Sequence, residues 1–403
     1  MRRPRVGPGV LVAAAFIGPG TVTAATLAGA EHGYVLGWGI AFSTVATAVL
    51  QEAAARLGIV GGVGLGEAIR RRVPAGLPFG LAAGLVVAAV FLGNAAYEGG
   101  NLRGAALGLD LLAGTREARS PSLGVGAVAA VAAALLGWGR LSVLSSVLAG
   151  VVAVLALAYL AAAVAVGVDW GAALAGLLPL RLPSGAELTV VALVGTTVVP
   201  YNLFLHASAA REHYGGRGDL AAARRDTYVS VAVGGAVTWA ISLVSARAFA
   251  GASGTPAGAA DLAAPLGNAL GGAGTLVVGV GLLAAGLSSA LTAPLAAAYA
   301  TAGLFGWDAR DLRAWRPRAV WGAVLVTGVA VASTGARPVA LIFLAQVANG
   351  LLLPVVAGFL LWAANDRALL GSSVNPPGRN FAAGVVVLVA AVLGARGLYG
   401  ALP

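Results

Sequence analysis

Phe16-Ile17-Gly18-Pro19-Gly20-Thr21-Val22-Thr23 lies inside the first long apolar run of the chain, Val10 to Ala30. Gly-Pro-Gly in such a run breaks a helix, because proline donates no N–H and glycine is the least helix-favouring residue after proline. Inside a bilayer, broken backbone persists only where protein buries it or where it lines a wet cavity. A second interruption, Val198-Val199-Pro200-Tyr201-Asn202, falls in a later apolar run. Paired interruptions in the two halves of a membrane chain point to the central site of a secondary transporter.

Composition sets the class. The 403 residues are 59% hydrophobic and 10% charged, with a mean hydropathy of +0.91. Soluble domains carry about 25% charged residues, so a soluble enzyme is excluded and an all-α polytopic membrane protein is expected. The 60 glycines suit close helix packing in lipid. There is no cysteine, hence no disulfide and no thiolate metal site. The net charge of +10 comes from arginine alone; it is read as basic cytoplasmic loops, with the bilayer and not nucleic acid as the partner. Met1-Arg2-Arg3-Pro4-Arg5 leads straight into a long span, so no cleavable signal is expected. No cofactor is implied.

At roughly 20 apolar residues per crossing, eleven spans are predicted, near 8–30, 37–58, 76–108, 122–138, 141–167, 187–213, 225–250, 262–304, 318–335, 338–363 and 380–400. Short linkers make residues 1–403 one transmembrane domain. The breaks fall in spans one and six, which enter the membrane from opposite sides. That spacing predicts an inverted five-plus-five repeat, about 8–167 and 187–363, with 380–400 as an extra helix. With the N-terminus inside, 18 of the 25 arginines lie on the cytoplasmic side; the bias predicts a cytoplasmic N-terminus and an outer C-terminus.

Few residues offer chemistry. Glu98, deep in span three, is costly at the membrane centre and is a candidate proton carrier or ion ligand, with Arg103 as a possible partner. Glu52 with Arg56 reads as a local helix pair near the inner end of span two. His206, a turn beyond the second break, is a candidate for a proton path; His32 in the outer loop reads as structural. Thr21, Thr23, Thr196, Thr197, Tyr201 and Asn202 flank the breaks, and Gln346 and Asn349 are placed to face them.

These strings resemble a known family. Gly18-Pro19-Gly20-Thr21, then Ala28-Gly29-Ala30-Glu31-His32-Gly33-Tyr34 and Trp38, look like the first two helices of Nramp metal transporters. Leu50 through Val60 with Gly64-Leu65-Gly66-Glu67, Pro200 through His206, Ser288-Ser289 and Gln346-Val347 are similar to later parts of that family. The resemblance covers nearly the whole chain and implies the LeuT fold.

The departures fall on the site. Where the family's Asp-Pro-Gly-Asn motif supplies an aspartate and an asparagine, this chain has Gly18 and Thr21. Where the family has a methionine and an alanine carbonyl before the sixth-helix proline, it has Val199 and Thr196; Tyr201 replaces the histidine that follows. Glu98 matches the glutamate of the family's proton route, while its companion aspartate is Ala95.

A divalent cation needs anionic ligands to offset dehydration, and thioether favours transition metals. Their loss, with two half-helix N-termini suited to a carboxylate, leads to the expectation of a small organic solute such as an amino acid. Its predicted ligands are Gly18, Gly20, Thr21, Thr196, Thr197, Val199, Tyr201, Asn202 and Gln346. The alternative is a hydrated, magnesium- or manganese-like divalent cation, with Thr21 and Gln346 among its ligands. A non-transporting sensor or scaffold would call for soluble domains, and the spans leave no room for one.

Overall fold

In the computed structural model, residues 17–114, 121–138, 142–179, 181–252, 254–307 and 314–400 are described, together with Pro8. The first half of span one before Ile17 and the arginines at 2, 3, 5, 116, 119, 140, 310 and 313 lie outside the described residues.

Gly18 is extended (φ −106°, ψ −177°), and helix α1 runs from Pro19–His32. Its first internal bond is Val22 N–H to Gly18 O at 3.1 Å. Proline at the first helical position loses nothing, since that N–H has no partner in a helix. The second break has the same form. Helix α8, Glu187–Thr197, stops at Val198, and α9, Pro200–His213, starts with proline after an extended Val199. The sequence predicts unwinding over Gly18–Thr21 and Thr197–Tyr201, and both breaks are narrower. Thr21, Thr197 and Tyr201 are helical, and only Ile17–Gly18 and Val198–Val199 are unwound among the described residues.

Around the breaks stand α2 (Gly37–Gly61), α3 (Leu65–Arg72), α4 (Leu77–Leu112), α5 (Pro121–Trp138), α6 (Ser142–Ala165) and the short α7 (Trp170–Ala175). After α9 come α10 (Leu220–Ala248), α11 (Ala259–Leu270), α12 (Gly272–Phe305), α13 (Trp315–Ala332), α14 (Pro338–Ala364), α15 (Arg367–Leu370) and α16 (Pro377–Gly400). No strand occurs among the described residues. Among the described residues, seven helical segments are long and apolar enough to cross a membrane, and α2 with α3, bent by 64°, makes an eighth. The shorter α1, α5 and α13 fall in the first, fourth and ninth predicted spans. The eighth predicted span is two helices: Gly271, at φ +63°, turns the chain between α11 and α12.

The 36-residue α4 is the hub. It packs against α12, α13 and α14, and it touches α1. Leu77, Leu81, Leu85 and Leu92 share one helical face and are 57–75% exposed. In water that stripe would be a large apolar patch; in lipid it is the expected outer surface. The opposite side of α4 is lined by glycine. A Cβ on Gly104 would sit 2.6 Å from Pro19 Cγ, so α4 touches the first break directly. This helix thus fixes both the break and the buried acid it carries, Glu98.

Candidate substrate site at the paired helix breaks

Thr21 and Thr196 bring the two broken helices together. Their hydroxyl oxygens lie 2.8 Å apart, and both side chains are buried. Either hydroxyl can be the donor of this bond. Gln346 of α14 closes the third side. A Cβ on Gly20 would lie 2.7 Å from Gln346 Oε1; glycine there lets the amide reach the break. Gln346 Nε2 donates to Ile342 O at 3.2 Å, while its Oε1 has no protein partner. Gly195 performs the same service for the backbone: a Cβ there would meet Gly350 N at 2.5 Å, so α8 and α14 lie nearly backbone to backbone.

The other predicted ligands divide. Gly18 is the N-terminal flank of α1. Asn202 is fully buried, and both its side-chain oxygen and nitrogen lack protein partners. Thr197 turns away, its hydroxyl donating to Leu193 O at 2.9 Å, as threonine does in apolar helices. Val199 and Tyr201 belong to a different cluster, with Tyr97, Ala293 and Ala296. Tyr201 meets Tyr97 edge to face at 5.5 Å between ring centroids. Asn349 is not at the first break; its Oδ1 lies where a Cβ on Gly93 of α4 would be 3.4 Å away.

Glu98 is fully buried with neither carboxylate oxygen partnered. Arg103, 5% exposed, forms no ion pair with it among the described residues, and its Nε and one terminal nitrogen are unpartnered. Glu98 rests on Gly328 of α13, where a Cβ would come 2.8 Å from the Glu98 Cβ. His206 is 1% exposed, and its Nδ1 lies 2.7 Å from Gln51 Oε1 in α2. No hydrogen bond joins His206 to Glu98 among the described residues. Glu52 does pair with Arg56, at 3.3 Å, but two further arginines reach it as well.

Sequence reasoning quoted Gln51 and Ser289 only within longer strings and assigned no role to them or to Tyr97. Tyr97 and Gln51 are nearly or wholly buried, and Ser289 Oγ is buried without a partner. Polarity inside an apolar run was the available signal for Ser289. For Tyr97, an aromatic residue in a span reads as core.

No group of three or more His, Cys, Asp or Glu suited to a metal occurs among the described residues. The donors at the breaks are neutral: two hydroxyls and two amides. Such oxygens suit a hard cation that keeps part of its water shell.

Two broken helices meeting at a buried polar junction, inside a bundle of eleven spans, define a membrane transporter of the LeuT fold, with two inverted five-helix repeats and an eleventh helix. Solved structures bear this out. The fold matches the Eremococcus coleocola manganese transporter at TM-score 0.76, with 20% identity over 98% of this chain and 88% of that one. It also matches MhsT in complex with L-phenylalanine, at TM-score 0.64 and 15% identity over the whole of both chains.

The chain belongs to the Nramp family. The family profile described as "Natural resistance-associated macrophage protein-like" matches residues 9–400. Among relatives, "Divalent metal cation transporter MntH" of Acidiphilium cryptum is 31% identical over 91% of this chain and 83% of its own length. "Divalent metal cation transporter MntH 1" of Pseudomonas aeruginosa is 31% identical over 92% and 85%. The protein is a transporter and not an enzyme.

The expectation of a small organic solute is overturned by these relatives, all named for divalent metal cations. The sequence argument weighed the missing carboxylate and thioether above the family resemblance. The junction is bridged by the Thr21–Thr196 pair, with the Gln346 amide set against Gly20.

Proposed function

We propose that this protein is a secondary transporter of a divalent metal cation, bound at the paired breaks through neutral oxygens. The ligands are the hydroxyls of Thr21 and Thr196 and the amide oxygens of Gln346 and Asn202. The observation that carries the reading is the Gln346 Oε1, buried and unpartnered against Gly20, in a family whose relatives are named for divalent cations. Gly18 and Gly20 give the backbone room, and Thr197, Val199 and Tyr201 shape the walls. With no anionic ligand the ion retains water and binds weakly.

Glu98 supplies the coupling proton site: a buried carboxyl without a partner is neutral when protonated and strongly disfavoured when charged. His206, whose Nδ1 lies 2.7 Å from Gln51 Oε1, is a second station. The chain forms one transmembrane domain, with repeats near 8–167 and 187–363 and an extra helix at 380–400. The N-terminus lies in the cytoplasm and the C-terminus outside, as the arginine asymmetry supports.

Calorimetric titration of purified protein with manganese and magnesium tests the site. Weak, saturable binding lost in Gln346→Ala supports the reading. Heat indistinguishable from dilution for both ions sinks it.

A further inference from the structure

Outside the breaks, the arginine-rich end of the bundle holds a cluster that the proposed ion and proton sites do not include. Glu52 of α2 is 2% exposed. Its Oε1 accepts from Arg56 Nε at 3.3 Å, Arg224 Nε of α10 at 2.8 Å and an Arg379 terminal nitrogen of α16 at 3.1 Å. Arg56, 1% exposed, spends its remaining fork on Asn375 Oδ1 and Ser373 O. Arg224 and Arg379 are one-third exposed, at 33% and 35%, and each gives one donor to Glu52. A guanidinium has five donors, so both retain free donors. Three cations face one carboxylate, which leaves a net charge of +2. Asp226, farther along α10, is engaged by the Tyr214 hydroxyl at 3.3 Å.

Beside the cluster opens a cavity of about 80 Å³. Leu50, Ala53, Leu360 and Ala383 form its apolar wall, and Arg379 and Tyr228 its polar rim. It is continuous with the lipid-facing surface. Val49 lines it, and Val45, one turn along the same face of α2, is 61% exposed; Tyr228 is 42% exposed. Cationic surplus at the edge of an apolar groove between membrane helices matches the chemistry of a phospholipid headgroup above its acyl chains.

We propose that this cavity binds an anionic phospholipid, with Arg224 and Arg379 holding the headgroup phosphate and the α2 face of Val45 and Val49 carrying an acyl chain. The occupant ties α2, α10 and α16 together at this end. A free phosphate would meet the same guanidiniums but gain nothing from the apolar wall. The proposal rests on neither the transported ion nor the coupling proton.

The test uses the full chain in neutral detergent, titrated with phosphatidylglycerol, phosphatidylcholine of the same acyl chains, and inorganic phosphate. Thermal midpoint and lipid retained in native mass spectrometry are read together. Phosphatidylglycerol is expected to raise the midpoint and to bind at least about five-fold tighter than phosphatidylcholine, with affinity falling as salt rises. Arg224→Gln and Arg379→Gln should each weaken it about five-fold, and Arg379→Lys should restore most of the loss. If a glutamine variant does not fold, the salt series on wild type and Arg379→Lys decides. Equal binding of the two lipids, inorganic phosphate matching the lipid, or affinity insensitive to both salt and the folded variants would overturn the proposal.

Discussion

Thr21 and Thr196 stand 175 residues apart in sequence, yet their hydroxyls meet at 2.8 Å where the two broken helices adjoin. Two helix ends that cannot satisfy their own backbone are thereby joined by side chains, at the ion site proposed above. Thr196→Val keeps the shape and removes the hydroxyl. It should cost about 0.5–1.5 kcal/mol of stability and lower metal uptake several-fold. A midpoint and uptake rate both unchanged would show that the pair is incidental.

Gly20→Ala should act on Gln346. The new Cβ would lie 2.7 Å from Oε1, and the amide, the free end of a flexible side chain, would swing out of the break. Metal uptake should fall at least about ten-fold, while the folded yield in detergent stays near wild type. The pair Gly20→Ala with Gln346→Ala should be no worse than Gly20→Ala alone. Additive losses in the double variant would separate the two residues.

Gly328 and Glu98 make a second cycle. An alanine at 328 would bring its Cβ to 2.8 Å from the Glu98 Cβ, an overpacking worth about 1–3 kcal/mol. Thermal unfolding should show that loss for Gly328→Ala. Most of it should vanish when Glu98→Gly, which removes that Cβ, is added and the cost of Glu98→Gly alone is subtracted. A double variant as unstable as the sum of the singles would mean that the helices move apart instead.

Proton coupling is tested by Glu98→Gln, which preserves shape and removes the titrating group. The variant should fold and show metal uptake with a flattened pH profile. A profile that matches wild type would remove Glu98 from coupling.

The breaks are legible in the sequence because proline and glycine act locally: a missing N–H and a missing Cβ interrupt a helix wherever they fall. Their extent is not legible. Thr21 and Tyr201 recover helical geometry because proline opens each half-helix at its first position, and only three-dimensional packing decides how soon. Glu98 is legible through its cost in an apolar span. Its seat on Gly328 is not, since it depends on how α4 and α13 face each other. The split of the eighth span was available in Gly271-Gly272, a weak pair inside a long apolar run. The turning of Val199 and Tyr201 toward Tyr97 depends on helix rotation, which no spacing rule gives. The substrate was misread because the missing carboxylate and thioether were weighed above the resemblance of the whole chain to relatives named for divalent metal cations.

Gly18→Asp offers a gain of function. Gly18 is extended and flanks the start of α1, a position where aspartate caps a helix well. A carboxylate there would supply the charge that offsets ion dehydration. Manganese affinity should tighten by about ten-fold or more, read by titration calorimetry, and Val199→Met should add preference for softer metals. Unchanged affinity would place the ion elsewhere.

Manganese uptake into proteoliposomes under an imposed pH gradient tests the central claim most directly, with wild type, Gln346→Ala and empty vesicles run side by side. The account predicts saturable uptake by wild type, of low apparent affinity, reduced at least about ten-fold in Gln346→Ala. Wild-type uptake no greater than that of empty vesicles, for manganese and magnesium alike, would contradict it.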